Sequence, residues 1–189
     1  GEACDRALAL FALHGESFDM AAHAHVLKAH LACDRGDLEE ADSSLKEARR
    51  ASVSGSDLLL RADFLATEGH VLTARHQPDR AALKYDDAAI AYRHIGRARE
   101  VGEMLSRSGT NYQLDQQYAQ AGERFYRAAR SYFAQGNISL ALRQLDMAFA
   151  SAKSADDADL TEKCSALFKT IRSQVDSVRL KGEDAIRAD

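Results

Sequence analysis

The sequence contains no tryptophan, one proline and three cysteines among its 189 residues. With Pro78 as the single proline, the strongest helix breaker is almost absent, and the frequent alanines favour helices that pack closely. Cys4, Cys33 and Cys164 are distant from one another and odd in number, which argues against a framework of disulfide bonds. The longest apolar runs fall well short of the roughly 20 residues of a membrane-spanning helix. We therefore expect an all-α protein without membrane insertion.

The chain also has little excess of charge of either sign. The chain has 25 Lys and Arg against 29 Asp and Glu, a net charge of −4. A nucleic-acid-binding protein needs a basic stripe that displaces phosphate counterions, so no nucleic acid is expected as a partner. The sequence has no GxxxxGK[ST] or GxGxxG loop and no HExxH, CxxC or GxSxG motif. These absences predict a protein that is not an enzyme and that needs no cofactor.

The sequence does contain an internal repeat. Glycines recur at a nearly constant spacing, at Gly15, Gly55, Gly96 and Gly136. Four positions that hold small or large apolar residues recur at the same spacing in three copies: Ala29, Gly69 and Gly109; Ala41, Ala81 and Ala121; Leu45, Tyr85 and Phe125; Ala48, Ala88 and Ala128. A constant period of this length, about 40 residues, indicates stacked supersecondary units.

Each copy is interpreted as two helices. We expect first helices at 17–35, 57–76, 97–113 and 138–153, and second helices at 38–53, 78–94, 116–134 and 157–180. One array then fills residues 1–189: a leftover helix of an upstream repeat at 1–15, repeats at 16–56, 57–96 and 97–136, a divergent or capping repeat at 137–181, and a tail at 182–189. This division suggests a fragment of a larger protein.

The pattern resembles the tetratricopeptide repeat. The residues that carry the resemblance are Leu105, Gly109, Tyr112, Ala121, Phe125 and Ala128, with a similar set at Leu65, Gly69, Leu72, Ala81, Tyr85 and Ala88. The period, longer than the usual one of the family, is similar to that of its long-period variants. The resemblance implies a right-handed superhelical stack of antiparallel helix pairs, an α-solenoid of about four repeats plus an N-terminal partial helix. It also implies a concave groove, lined mostly by first helices, that holds a protein or peptide.

A second register stays open after residue 120. The segment 127–150 also fits the signature, with Ala129, Tyr132, Ala141, Leu145 and Ala148. In that register the helix at 122–134 would be a first helix. We favour the register of the three copies above because the glycine spacing supports it.

The resemblance assigns ten residues to the groove: His23, Val26, His30, Asp63, Ala66, His70, Thr73, Ser106, Thr110 and Gln113. The lysines and asparagines with which some family members clamp a peptide carboxylate are absent from the matching positions. We therefore expect a neutral to weakly polar groove in which apolar contacts and hydrogen bonds dominate.

Histidine is the one mildly unusual residue type. Three of the seven histidines lie in one predicted helix, at His23, His25 and His30, and His70 is the equivalent of His30 in the next copy. A metal site formed by His30, Asp34 and His70 is geometrically possible between adjacent helices. We favour solvated or partner-contacting histidines instead and predict no metal site.

The functional expectation is a non-catalytic scaffold for another protein or peptide. The alternative is a ligand-sensing regulatory domain of a bacterial transcriptional or signalling regulator. The last helix carries an apolar stripe that includes Leu160, Cys164 and Ile171, which caps the array or joins two copies of the chain. The expected location is the cytoplasm. A periplasmic lipoprotein is the alternative if Cys4 is acylated.

Overall fold

The computed structural model describes residues 2–14, 18–52 and 57–188, and within these ranges it contains α-helices and no strand. The helices in chain order are α1 (Glu2–His14), α2 (Phe18–Asp34), α3 (Leu38–Ala51), α4 (Leu58–Ala74), α5 (Pro78–His94), α6 (Ala98–Leu114), α7 (Tyr118–Ala134), α8 (Ile138–Ser154) and α9 (Ala158–Ala188). Consecutive helices pack side by side as a stack. The predicted all-α stack of helix pairs is confirmed.

Successive helices begin at a constant spacing along the chain. From α2 to α9 the first residues are Phe18, Leu38, Leu58, Pro78, Ala98, Tyr118, Ile138 and Ala158. The helices α4 to α8 all have 17 residues. The α9 helix continues to Ala188, through the segment predicted as a tail. Glycines 15 and 55 of the predicted series lie outside the described residues.

One type of turn joins the helices and explains this regularity. Six connections have three residues each, and the middle residue has a positive φ, between 53° and 80°. The residue after it donates its backbone N–H to a carbonyl five residues earlier, at 2.8–3.0 Å, which is the Schellman arrangement at a helix end. Glycine occupies the positive-φ position at Gly36, Gly96 and Gly136, where it carries no steric penalty. His76, Gln116 and Asp156 occupy it in the alternate turns.

Small residues face aromatic rings where helices cross. A Cβ atom on Gly109 of α6 would lie 2.8 Å from the Phe125 ring of α7, and one on Gly69 of α4 would lie 3.0 Å from the Tyr85 ring of α5. Both rings are almost completely buried. The glycines therefore let these helices approach closely enough to enclose a ring.

The buried residues of α5 and α7 match position by position. Those of α5 are Ala81, Ala82, Tyr85, Ala88, Ala89 and Tyr92, and those of α7 are Ala121, Gly122, Phe125, Ala128, Ala129 and Tyr132. One apolar core continues from α4 to α9, and two smaller clusters join α2, α3 and α4.

The last helix packs against the end of this core. Leu160, Cys164 and Ile171 are buried, and Leu160 lies beside Gly122 of α7. Phe168 and Val175 stay 43% exposed. This arrangement covers one end of the stack, while pairing of two chains through α9 stays a prediction. No helix in the described ranges is long and apolar enough to span a bilayer.

We expect Gly109→Val to destabilise the protein by about 1–3 kcal/mol, because the added methyl groups would overlap the buried Phe125 ring. Gln113→Val, on the same helix at an exposed position, should cost less than about 1 kcal/mol. Urea denaturation measures both free energies of unfolding. Equal costs for the two variants would contradict the packing account.

Candidate functional site

A cleft of about 470 Å³ opens where the first helices α2, α4 and α6 lie beside one another. The apolar part of its lining comes from Val26, Leu27, Ala66 and Met104. Its polar part comes from His23, His30, Asp63, Thr67, Tyr92, Glu100, Glu103 and Arg107. Another depression, of about 550 Å³, lies at the turn between α8 and α9. Only two consecutive helices line that depression, so the first helices do not converge there.

A hydrogen-bond network joins three helices at one side of the cleft. The Tyr92 hydroxyl of α5 donates to Asp63 Oδ1 of α4 at 2.5 Å. His23 Nε2 of α2 lies 2.9 Å from Asp57 Oδ2, and His23 Nδ1 lies 3.9 Å from Asp63 Oδ2. Burial and the neighbouring Asp63 raise the pKa of Tyr92, so its hydroxyl stays a donor at neutral pH.

Asp57 also anchors the start of α4. Its Oδ1 accepts the backbone N–H groups of Leu59 and Leu60 at 2.9 and 3.0 Å, as an N-cap residue does. The Leu60 N–H and then the His23 side chain hold the pKa of the Asp57 carboxyl below its usual range. A single carboxylate thus fixes both the beginning of a helix and the orientation of a histidine in the cleft.

The α6 side of the cleft is acidic. Glu100 and Glu103 face it together with Arg107, whose guanidinium donates to Glu103 at 2.7 Å. Together with Asp63, the lining contains three carboxylates and one guanidinium group. Arg97 lies 3.6 Å from Glu100 but is not part of the lining. The expectation of a neutral groove was therefore wrong, because it left out the α6 residues nearest the start of that helix.

The repeat itself carried the signal for one of the missed residues. Asp63 is the equivalent of His23 in the second copy, and Glu103 is the equivalent of both in the third. Extending the predicted set by one further step would have included Glu103. Tyr92 gave no comparable signal, because it lies on α5, a second helix, and the predicted groove residues were taken from first helices.

The two histidines at equivalent positions meet. His30 Nδ1 and His70 Nδ1 are 3.4 Å apart, and the ring centroids are 4.7 Å apart. The Asp34 carboxylate lies beside both rings, with Oδ1 3.5 Å from His70 Nε2 and Oδ2 3.8 Å from His30 Nε2. Burial, and then the nearby His30, lower the pKa of His70, so its neutral form is favoured.

The ten groove residues predicted from the sequence divide into three groups. His23, Val26, His30, Asp63 and Ala66 line the cleft, and His70 contacts it through His30. Thr73 is engaged within the chain, since its hydroxyl contacts the Gly69 carbonyl and Asn111 Oδ1. Ser106, Thr110 and Gln113 do not line the cleft, and the Thr110 hydroxyl donates to the Ser106 carbonyl.

Comparison with known proteins identifies no family. No protein-family model matches the chain, and no curated protein matches it in sequence. Among solved structures, the chain is similar to the crystal structure of BtubC (BKLC) from P. vanneervenii. The identity is 16%, the match covers 92% of this chain and 88% of that one, and the TM-score is 0.47. A likeness of this degree does not bear on the function of the chain.

We expect Asp57→Asn to lower the stability above pH 5, because the amide can still cap α4 but loses the charge that faces His23. The folded pKa of Asp57 is depressed, so its charge stabilises the protein above the unfolded value of about 3.9. That stabilisation is lost as the pH falls through the folded pKa. The difference between wild type and variant should therefore vanish in strong acid.

Urea denaturation from pH 2.5 to 7 measures this difference. Asp79→Asn is the matched control, since Asp79 is an exposed acidic residue in the first turn of α5. A wild-type protein no more stable than Asp57→Asn at neutral pH would contradict the assignment.

Proposed function

We propose that the chain is a non-catalytic scaffold whose cleft between α2, α4 and α6 binds a segment of another protein. The observation that carries the proposal is the convergence of three first helices on one cleft that is lined by both apolar and acidic side chains. Several of its polar side chains are held in place by contacts with one another, such as Tyr92 with Asp63 and Arg107 with Glu103. The cleft therefore has a defined surface before a partner binds.

The resemblance to the tetratricopeptide family enters as part of the same proposal. The pairs Gly69–Tyr85 and Gly109–Phe125, which occupy equivalent positions in consecutive copies, support a long-period member of that family. In such arrays stacked first helices offer a continuous surface to a partner chain. The family assignment rests on these packing positions, and the partner proposal rests on the cleft.

The lining indicates which segment would fit. Val26, Leu27 and Met104 offer apolar contact, and methionine adapts to different side chains. The carboxylates of Asp63, Glu100 and Glu103 favour a cationic ligand by electrostatic complementarity. The proposed occupant is therefore a peptide segment that combines an apolar side chain with Lys or Arg.

The compartment that fits this proposal is the cytoplasm. Cys4, Cys33 and Cys164 are buried free thiols, which suit a reducing environment. Burial of Cys4 supports a free thiol at that position over an acylated one.

We expect Glu100→Gln and Glu103→Gln each to weaken binding of Lys- and Arg-containing apolar peptides several-fold, and to leave neutral analogues unaffected. Binding of the cationic peptides should also weaken with added salt. Fluorescence anisotropy with labelled peptides of matched length and opposite charge measures these affinities.

Glu39→Gln is the matched control, because Glu39 lies in the first turn of α3, as Glu100 does in α6, and outside the cleft. Tighter binding of acidic peptides, or an equal loss in Glu39→Gln, would contradict the proposed site.

A small-molecule sensor is the second candidate, and the size of the cleft favours it. About 470 Å³ lies within the roughly 300–1,000 Å³ of small-molecule pockets. A compound that binds the folded state raises its melting temperature. A cationic metabolite that does so in wild type and not in Glu103→Gln would favour this function over the scaffold.

A further inference from the structure

We propose that His30, Asp34 and His70 form a binding site for a divalent transition-metal ion such as Zn²⁺. The imidazole nitrogens of the two histidines and the Asp34 carboxylate would be its protein ligands. This site lies beside the cleft, and the argument for it is independent of what the cleft binds.

The ligand atoms are close to the spacing that a metal ion requires. One ligand atom can be chosen from each residue so that all three lie within 4.8 Å of one another. The measured nitrogen–oxygen separations are 3.5 and 3.8 Å. Tetrahedral zinc with bonds of about 2.0–2.1 Å holds its ligands about 3.4 Å apart. Rotation of the side chains would have to bring the widest pair of ligand atoms, which lie within 4.8 Å of each other, to this spacing.

The backbone holds the three residues in place without help from a ligand. His30 and Asp34 are four residues apart on α2 and therefore share one face of that helix. His70 occupies the position on α4 that His30 occupies on α2, and the two helices run side by side in the same direction. That direction follows from two contacts, since His23 reaches Asp57 near the start of α4 and His30 reaches His70 near its end.

The local electrostatic field favours a cation. The cluster lies at the C-terminal ends of α2 and α4, where the helix dipoles leave partial negative charge. Neither helix has a basic residue in its last turn. The arginines that follow them are turned to carboxylates of α3, Arg35 to Glu40 and Arg75 to Asp42.

Asp34 is otherwise in an unfavourable position, because a carboxylate at a helix C-terminus meets the negative end of the dipole. Arg107 of α6 is paired with Glu103 at 2.7 Å. A metal ion would supply the positive charge that the end of α2 lacks. The position of Asp34 at a helix C-terminus distinguishes this cluster from exposed acidic residues elsewhere on the surface.

The types of ligand also suit a transition-metal ion. Two imidazoles and one carboxylate form a mixed nitrogen and oxygen ligand set, which suits Zn²⁺, Co²⁺ or Ni²⁺ better than Mg²⁺ or Ca²⁺. Three protein ligands leave at least one position for water or another ligand. His30 lines the cleft, so that position borders it.

Isothermal titration of the chelator-treated full chain with ZnCl₂ tests the proposal. We expect one equivalent of Zn²⁺ to bind to wild type. His30→Gln, His70→Gln and Asp34→Asn should each weaken the affinity at least about tenfold. His94→Gln, an exposed histidine at the end of α5, should bind as wild type does.

The Asp34→Asn variant is expected to fold as wild type does, because the Asp34 side chain is 51% exposed and the change is isosteric. Thermal denaturation of each variant without metal checks that its fold is retained. Co²⁺ provides a spectroscopic readout, since nitrogen and oxygen coordination gives visible absorption bands without the charge-transfer band of a thiolate ligand. No stoichiometric binding to wild type, or an affinity in Asp34→Asn and both histidine variants equal to that of His94→Gln, would overturn the site.

Discussion

The close contact between a small residue on one helix and an aromatic ring on the next determines the geometry of the stack. Gly69 packs against the Tyr85 ring and Gly109 packs against the Phe125 ring. A Cβ atom on either glycine would come so close to the ring that the ring would have to move. Because the rings are buried, the separation of the two helices cannot increase without exposing apolar surface. Three-residue turns of one type recur in six of the connections, and each of these turns sets the position of the helix that follows it.

The two candidate sites are consequences of this repetition. The α2 and α4 helices run side by side in the same direction, so residues at equivalent positions in these two helices come into contact. His30 meets His70 in this way, and His23 lies beside Asp63, whose equivalent in the third copy is Glu103. The acidic cleft and the histidine pair therefore follow from the same spacing, and the histidine pair lies near the C-terminal ends of α2 and α4.

The all-α stack could be predicted because packing repeats leave a strong sequence pattern. The contact of Gly69 with Tyr85, and of Gly109 with Phe125, could not be predicted, because spacing alone does not show which second-helix residue faces each glycine. The constant spacing of single helices was hidden, since His76, Gln116 and Asp156 adopt the turn conformation that glycine adopts in the other connections. The acidity of the cleft was missed because Glu100 has no counterpart of similar chemistry in the earlier copies, and because the predicted set stopped before Glu103. Sequence spacing placed His30 and His70 at equivalent positions, but only side-chain conformations show that Asp34 reaches both rings.

A double-mutant cycle on Gly69 and Tyr85 tests the packing constraint most directly, with free energies of unfolding measured for Gly69→Ala, Tyr85→Leu and the double variant. The account predicts that the added methyl group destabilises the protein when the ring is present. In the Tyr85→Leu background the same change should be neutral or stabilising, since alanine is the better helix former by up to about 1 kcal/mol. Equal effects of Gly69→Ala in both backgrounds would contradict the claim that the ring and the glycine hold these helices at their observed separation.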